Sequence, residues 1–506
     1  MTTEDSFQLF PTPSLSPSQI SPHVLPGINP ASTESLKRVL EDNQKTHHIF
    51  FNNKGFHNHI AHRVLAVWAL GADKEVIQTS YERDSEYQRP AFESPEPITN
   101  ENFNDHLGDE RFYNAYLKYF THELEANKNS VGTVLEEQIF SSSRNFGSKS
   151  KSGNHPEMLN RLLAGLVHPM IHTGYGYEFA IPGIVAEGLA QAAVHAASSS
   201  SLIPPSVFTS DPVPSVSSLS SRIHSFTFGR KLSNETVSRD STTGIHAFTT
   251  VSRIIKDSSI QLEIIKRATE EHSLSMYEAT LAESGEKIYK YVQEWASGFD
   301  GKDHEVVKKK VEELQWTNAL LYAVSGLEEG EDKNLKPSFK ADFFRMHLVT
   351  SSLFLPSLIA YLSPASQHTL LRSYFAICLV WWVSRGKMPL DIKRFYESTS
   401  TTADQLESAP SSAHKNALVS SNPNPNPWLA VVNQAMNHPD DHLPKIQRAL
   451  GHFSTLYGSR MPGSAEFKDT ELEGAEVLDG TFFVRAAILT AERMGRDKGE
   501  GESWWD

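Results

Sequence analysis

The sequence predicts a mainly α protein: a large single-core multi-helix domain with long irregular loops and no Rossmann fold. Two observations predict it. Apolar residues recur at three- and four-residue spacing along most of the chain, as at Tyr113, Tyr116, Leu117 and Phe120, the period of a helix with one buried face. No alternating series reads as a set of strands, and neither a repeat of roughly 20–50 residues nor a heptad seam is present. The 506 residues have length for several domains of about 150 residues each, yet the helical pattern continues across them, so one core is expected.

Residues 1–35 are rich in Ser and Pro and lack periodicity, which predicts an extended or disordered N-terminal arm. A helical domain is expected over 36–495. Within it, His57-Asn-His59-Ile-Ala-His62 opens an apolar helix that Gly71 should stop. Ser198–Ser221, with four consecutive serines and then Pro204, Pro205, Pro212 and Pro214, cannot be the interior of an element. Residues 199–245 therefore read as a surface loop or lid, with helices resuming near Thr250. Glu305–Gln315 reads as a solvated helical face. A second breaker over 398–427 ends in Asn422-Pro-Asn-Pro-Asn-Pro427, where alternating prolines block helix and sheet alike. The last helices are expected from Trp428 to Met494, followed by a polar tail over 496–506.

The formal net charge is −14, which disfavours nucleic acid as a partner, because phosphate backbones select basic faces. The single cysteine, Cys378, sits in an apolar run and cannot form an internal disulfide or a cysteine-built metal site; it reads as an inert core residue. The most apolar runs, Ser352–Leu362 and Tyr374–Val383, fall short of the about 20 residues a membrane span needs. With no secretory signal visible at the N-terminus, the expectation is a cytoplasmic protein acting on a small molecule, without a membrane or nucleic-acid partner.

Histidine placement points to chemistry. On a helix, His59 and His62 project about 60° apart, with small Ala66 and Ala69 nearby; they can cap the helix or hold a metal, since neutral imidazole is the commonest protein metal ligand. The stronger pair is His168 and His172 in Leu166-Val-His-Pro-Met-Ile-His-Thr-Gly-Tyr-Gly-Tyr-Glu-Phe179. Pro169 should place His168 just before a short helix. Gly174 and Gly176 are expected to bend the chain sharply and aim Tyr175, Tyr177 and Glu178 into one space. On the apolar helix from Pro182, Glu187, Gln191 and His195 form one stripe. Glu187 either lies at the helix surface or orients a ligand histidine. His347 is the lone histidine of an apolar helix, a core residue or a ligand. Lys387, after Arg385-Gly386, reads as a solvated partner of a helix C-terminus, or as a reactive or modified lysine.

Absences narrow the chemistry. No GxGxxG follows a strand, and no GxxxxGK[ST], HExxH or GxSxG occurs. A flavin monooxygenase, P-loop NTPase, zincin or α/β-hydrolase is disfavoured, and FAD is not expected.

With these residues in view, the chain resembles the questin oxidase-like family of fungal secondary metabolism. The matching pieces are Asn58-His59-Ile-Ala-His62 through Ala69-Leu-Gly-Ala72, Tyr113-Asn-Ala-Tyr-Leu-Lys-Tyr-Phe120, Arg161 through the His168–Phe179 block, Ala186-Glu-Gly-Leu-Ala190, Met346-His-Leu-Val-Thr-Ser351, Arg385-Gly-Lys387 and Asp479-Gly-Thr-Phe-Phe-Val-Arg-Ala-Ala487. The resemblance implies an oxygenase that cleaves the central ring of a polyketide anthraquinone with O2, giving a benzophenone-type acid or lactone. It implies either an NADPH-dependent Baeyer–Villiger oxidase or a non-haem iron oxygenase with several histidine ligands and, in some members, a carboxylated lysine. The ligands would come from His59, His62, His168, His172 and His347. Lys387 is the candidate modified lysine, although Met388 interrupts the expected Gly-Arg/Lys-Pro run. Tyr175, Tyr177, Glu178 and Glu187 would shape the pocket. Two other readings stand beside it: a metal-dependent hydrolase of a polyketide lactone, and a non-catalytic α-helical binding protein.

Overall fold

The helix Ile60–Ala69 shows how the sequence builds this molecule. All ten of its residues are buried, so a segment rich in Ile, Val, Leu and Trp is sealed on every side rather than on one stripe. Asn58 starts it by accepting from the Ile60 amide at 2.9 Å. Gly71, at φ 92°, stops it in a left-handed conformation that costs glycine little.

The computed structural model describes residues 7–14, 16–128, 130–208, 244–328, 337–403, 406, 424–495 and 503–506. These residues form a mainly helical fold; the named strands among them, Leu327–Glu328 and Ser338–Phe339, pair antiparallel with Leu327 opposite Phe339. One connected hydrophobic core reaches from Phe10 to Trp505. No described helix is long and apolar enough to cross a membrane. Most of the expected loop 199–245, and much of the loop 398–427 and of the tail 496–506, lie outside the described residues.

Three local expectations change on contact with the structure. Residues 7–14 and 16–29 carry no helix, but they are seated on the fold: Gly183 donates to the Leu9 carbonyl at 2.7 Å and Ser14 to that of Phe179 at 2.9 Å. Helix then begins at Pro30, earlier than residue 36, because Asn29 and Ser32 form a reciprocal cap. The Glu305–Gln315 stretch is only partly solvated, since Lys310 is 3% exposed and paired with Glu313 at 3.1 Å.

The third change concerns the helix Ala164–Phe179. Gly165, Leu166 and Val167 take left-handed values (φ 53°, 56° and 57°), and regular helix follows from His168. The sharp turn therefore lies before His168. Gly174 and Gly176 sit inside the helix, where their missing side chains allow close crossing instead of a bend. A Cβ on Gly174 would lie 2.5 Å from Phe354 Cβ, and one on Gly176 2.6 Å from the Val185 nitrogen. The neighbouring helix Pro182–Val194 packs tightly against it for this reason.

Cys378 is buried in the helix Pro364–Ser384. Burial pushes its thiol up to about 12, which keeps it in the unreactive thiol form.

Candidate metal centre

Four helices deliver imidazoles to one buried region. His59 stands at the N-cap of Ile60–Ala69 with His62 one turn inside it. His168 and His172 lie on the regular part of Ala164–Phe179. His347 comes from Phe343–Ser352, and His442 caps Leu443–Tyr457. All six are buried. Two trios, His57–His59–His168 and His59–His347–His442, each bring ligand atoms within 4.8 Å of one another, and His59 belongs to both.

Hydrogen bonding fixes which ring nitrogens face inward. Burial, reinforced by neighbouring imidazoles or Lys445, holds His62, His168 and His347 well below the ordinary histidine value and His59 down at about 4, so these rings are neutral, with one N–H each. His168 Nδ1 lies 2.7 Å from the Gly165 carbonyl, which can only accept. Its Nε2 therefore carries a lone pair. His347 Nδ1 likewise donates to the Phe343 carbonyl at 2.8 Å, and its Nε2 is buried with no hydrogen-bond partner. His59 Nδ1 donates to the Asp441 carboxylate at 2.8 Å, leaving its Nε2 as an acceptor. That nitrogen faces His168 Nε2 at 2.9 Å. Two lone pairs at this distance repel unless a cation lies against both, and two cis ligands on a metal with bonds of about 2.1 Å stand about 3.0 Å apart.

A second pair of imidazoles is joined ring to ring. His172 Nε2 donates to Glu187 at 2.9 Å, and both side chains are 1% exposed. Gln44 donates to the other carboxylate oxygen at 3.1 Å. His172 Nδ1 is thus an acceptor, met by His62 Nε2 at 3.0 Å. Imidazoles anchored through one nitrogen by a carboxylate or carbonyl, with the other turned inward, are the arrangement of metal-ligating histidines. The residues present fit an iron ion, for which imidazole is a suitable ligand.

Several predicted residues sit elsewhere. Tyr177 donates to the Val131 carbonyl at 2.9 Å and packs on Tyr361. Glu178 is fully buried in an ion pair with Arg448. Both meet protein partners away from the imidazoles, because successive helix positions point to different sides. Tyr175 remains beside the centre, its ring 5.5 Å from that of His62. Lys387 takes a left-handed φ of 46°, which turns its ammonium onto the carbonyls of Asp257 and Ile260 at 3.1 Å each. Among the described residues these carbonyls, not histidines, are its hydrogen-bond partners.

The lysine among the imidazoles is Lys445. It is buried, lies 2.9 Å from Asp441 and acts electrostatically on His59 and His347. Sequence reading missed it together with Asp441 and His442. Their signal was His438-Pro-Asp-Asp-His-Leu-Pro-Lys445, acids and histidines gathered at the start of an apolar helix. His57 and His195 were also underread: their Nε2 atoms lie 2.6 Å apart, and His57 stacks on His168 with centroids 3.9 Å apart. The 2.6 Å gap is too short for two ligands of one metal and suits a shared hydrogen.

Fold and site together define a mainly helical protein with a buried polyhistidine centre. The chain belongs to the questin oxidase-like family, whose model matches residues 56–450. Among its relatives, a questin oxidase of Aspergillus fumigatus is 28% identical over 399 residues, covering 75% of this chain and 77% of its own. A questin oxidase of Aspergillus terreus is 23% identical, covering 82% and 79%. Baeyer-Villiger oxidase mdpL of Emericella nidulans is 26% identical, covering 92% and 89%. These relatives make the chain an oxidoreductase.

Proposed function

We propose that the chain is a cytoplasmic non-haem iron oxygenase that cleaves the central ring of a polyketide anthraquinone with O2, giving a benzophenone-type acid or lactone. The observation that carries the reading is the pair of facing lone pairs on His59 and His168, 2.9 Å apart in a buried cluster whose outer nitrogens are already anchored. Oxidase names among the relatives favour oxidation over lactone hydrolysis.

His59 would hold the ion with His168 through Nε2, and the set would be completed from His347 and His442, which share a trio with His59, and from the adjoining pair His62–His172. When bound, iron supplies O2 activation that a protein side chain cannot. The chain's own residues do the rest. Asp441, Glu187 and two backbone carbonyls keep each ring in one tautomer and orientation. Burial keeps bulk water from the imidazoles. Tyr175 presents a flat ring wall beside His62. Lys445, rather than Lys387, stands in the cluster, as an ammonium held by Asp441. NADPH, which the family resemblance implies, is one source of the two electrons that oxygen insertion requires. A substrate arriving in its two-electron-reduced form would bring the electrons that oxygen insertion requires.

The test is metal dependence. Protein purified without oxygen should carry about one iron per chain, lose ring cleavage on chelation and regain it with Fe(II) but not Zn(II). Activity on a lactone restored by Zn(II) alone would instead identify a hydrolase.

A further inference from the structure

The segment Ser503–Asp506 lies outside the residues matched by the family model, yet it is built onto the back of the histidine cluster. Trp505 is 7% exposed. Its indole N–H donates to Asp440 Oδ1 at 3.1 Å, and its ring stands edge-on to His442 with centroids 6.0 Å apart. The same Asp440 oxygen accepts from the His442 and Leu443 amides at 2.9 and 3.3 Å. Asp440 thus holds the amides at the entry of the Leu443–Tyr457 helix, ahead of the N-cap residue His442, and Trp505 fixes that carboxylate from outside.

Three groups of the centre hang from that corner. Asp441 holds His59 Nδ1 at 2.8 Å and Lys445 at 2.9 Å, and His442 Nδ1 lies 3.1 Å from Asp441. The segment reaches a second ligand-bearing element as well. The Asp506 amide donates to the Ala341 carbonyl at 3.0 Å, and the Phe343 amide donates to the Asp506 carbonyl at 3.1 Å. Phe343 is the first residue of the helix that carries His347, and its own carbonyl is the one that anchors His347 Nδ1. One short segment therefore ties the His442 corner to the His347 helix, two elements that are far apart in sequence and whose relative placement sets the spacing of His59, His347 and His442.

We propose that Trp505 is a positioning residue of the metal centre, acting through Asp440 on the Asp441–His442–Lys445 corner, so that metal affinity depends on this segment beyond the family's matched region. The proposal rests on the metal reading above. Its mechanism is the one by which outer hydrogen bonds tune metal sites: loss of such a partner weakens binding about 10–100-fold.

The experiment titrates metal-free wild type, Trp505→Phe and Trp505→Ala with Co(II), recording affinity and the visible d–d absorption, with thermal melts of the metal-free proteins alongside. Trp505→Phe keeps an aromatic ring and removes the indole donor. The expected result is about tenfold weaker Co(II) binding, a shifted visible band at saturation, and a melting temperature within a few degrees of wild type. Trp505→Ala should weaken binding further. Equal affinity and an identical band in the folded Phe variant would overturn the proposal, and so would failure of that variant to fold, which would assign Trp505 to packing alone. Absence of Co(II) binding by wild type would overturn the metal reading itself, and this inference with it.

Discussion

His347 isolates the difference between a ligand and a packing residue. Its Nδ1 is occupied by a carbonyl, and its Nε2 is buried with no partner, an arrangement that costs stability unless something binds there. His347→Gln removes a good ligand while keeping a polar side chain of similar size. Metal content should fall below about a tenth of wild type and ring-cleaving activity should drop by about 10²-fold or more, with a melting temperature within a few degrees. His172→Gln should behave in the same way, since its outer nitrogen is spent on Glu187. Glu178→Gln is the contrast. It breaks a fully buried ion pair with Arg448, so unfolding by urea should show a loss of about 3–5 kcal/mol, while the folded fraction retains its metal. Full metal loss in folded Glu178→Gln would return that residue to the site.

At the scale of elements, the left-handed turn Gly165–Val167 is the piece of backbone most closely tied to function. It aims the Gly165 carbonyl at His168 and leaves two side-chain-bearing residues at positive φ, a strained conformation of the kind held at functional sites. Gly165→Ala would put a Cβ 2.4 Å from His195 Cε1. The expected outcome is a stability loss of about 1–3 kcal/mol together with weaker metal binding, read from urea unfolding and metal titration; unchanged values for both would show that the turn is relaxed and unconnected to the centre. The sequence made the surrounding helices legible, because their period is local. It placed His59, His62, His168, His172 and His347 on the right elements for the same reason. It misassigned Gly174 and Gly176, since a glycine that permits a bend and a glycine that permits close helix crossing look alike until the neighbour is known. Lys387 and Lys445 differ in the same way: only the fold shows that one ammonium is taken up by carbonyls and the other enters the histidine cluster.

For the whole molecule, a buried set of neutral imidazoles has a consequence in pH. His59 and His195 are held at about 4 against an ordinary 6.5, chiefly by desolvation, and His57, His62, His168 and His347 are lowered further by burial and by one another. Between about pH 4 and 6.5 the unfolded chain binds protons that the folded chain refuses, so stability rises with pH across that window and is lost as pH falls through it. Asp441, depressed by His442 and Lys445, acts in the same direction at lower pH. His442, raised by Asp441, opposes it, contributing stability below 6.5 that is lost as pH rises. With six lowered imidazoles against one raised, metal-free protein should melt several degrees lower at pH 5 than at pH 7. A flat profile would mean that the cluster is solvated.

At this scale the proposal is that the buried cluster supports oxygen insertion into a polycyclic quinone-type substrate. The most direct measurement is a single turnover of an anthraquinone, supplied in its reduced form to iron-loaded protein under ¹⁸O2, with the product read by mass spectrometry. The expected result is a ring-opened product carrying ¹⁸O from the gas, and no such product after chelation of the iron. Ring opening whose new oxygen comes only from labelled water, or labelled product formed undiminished without metal, would contradict it.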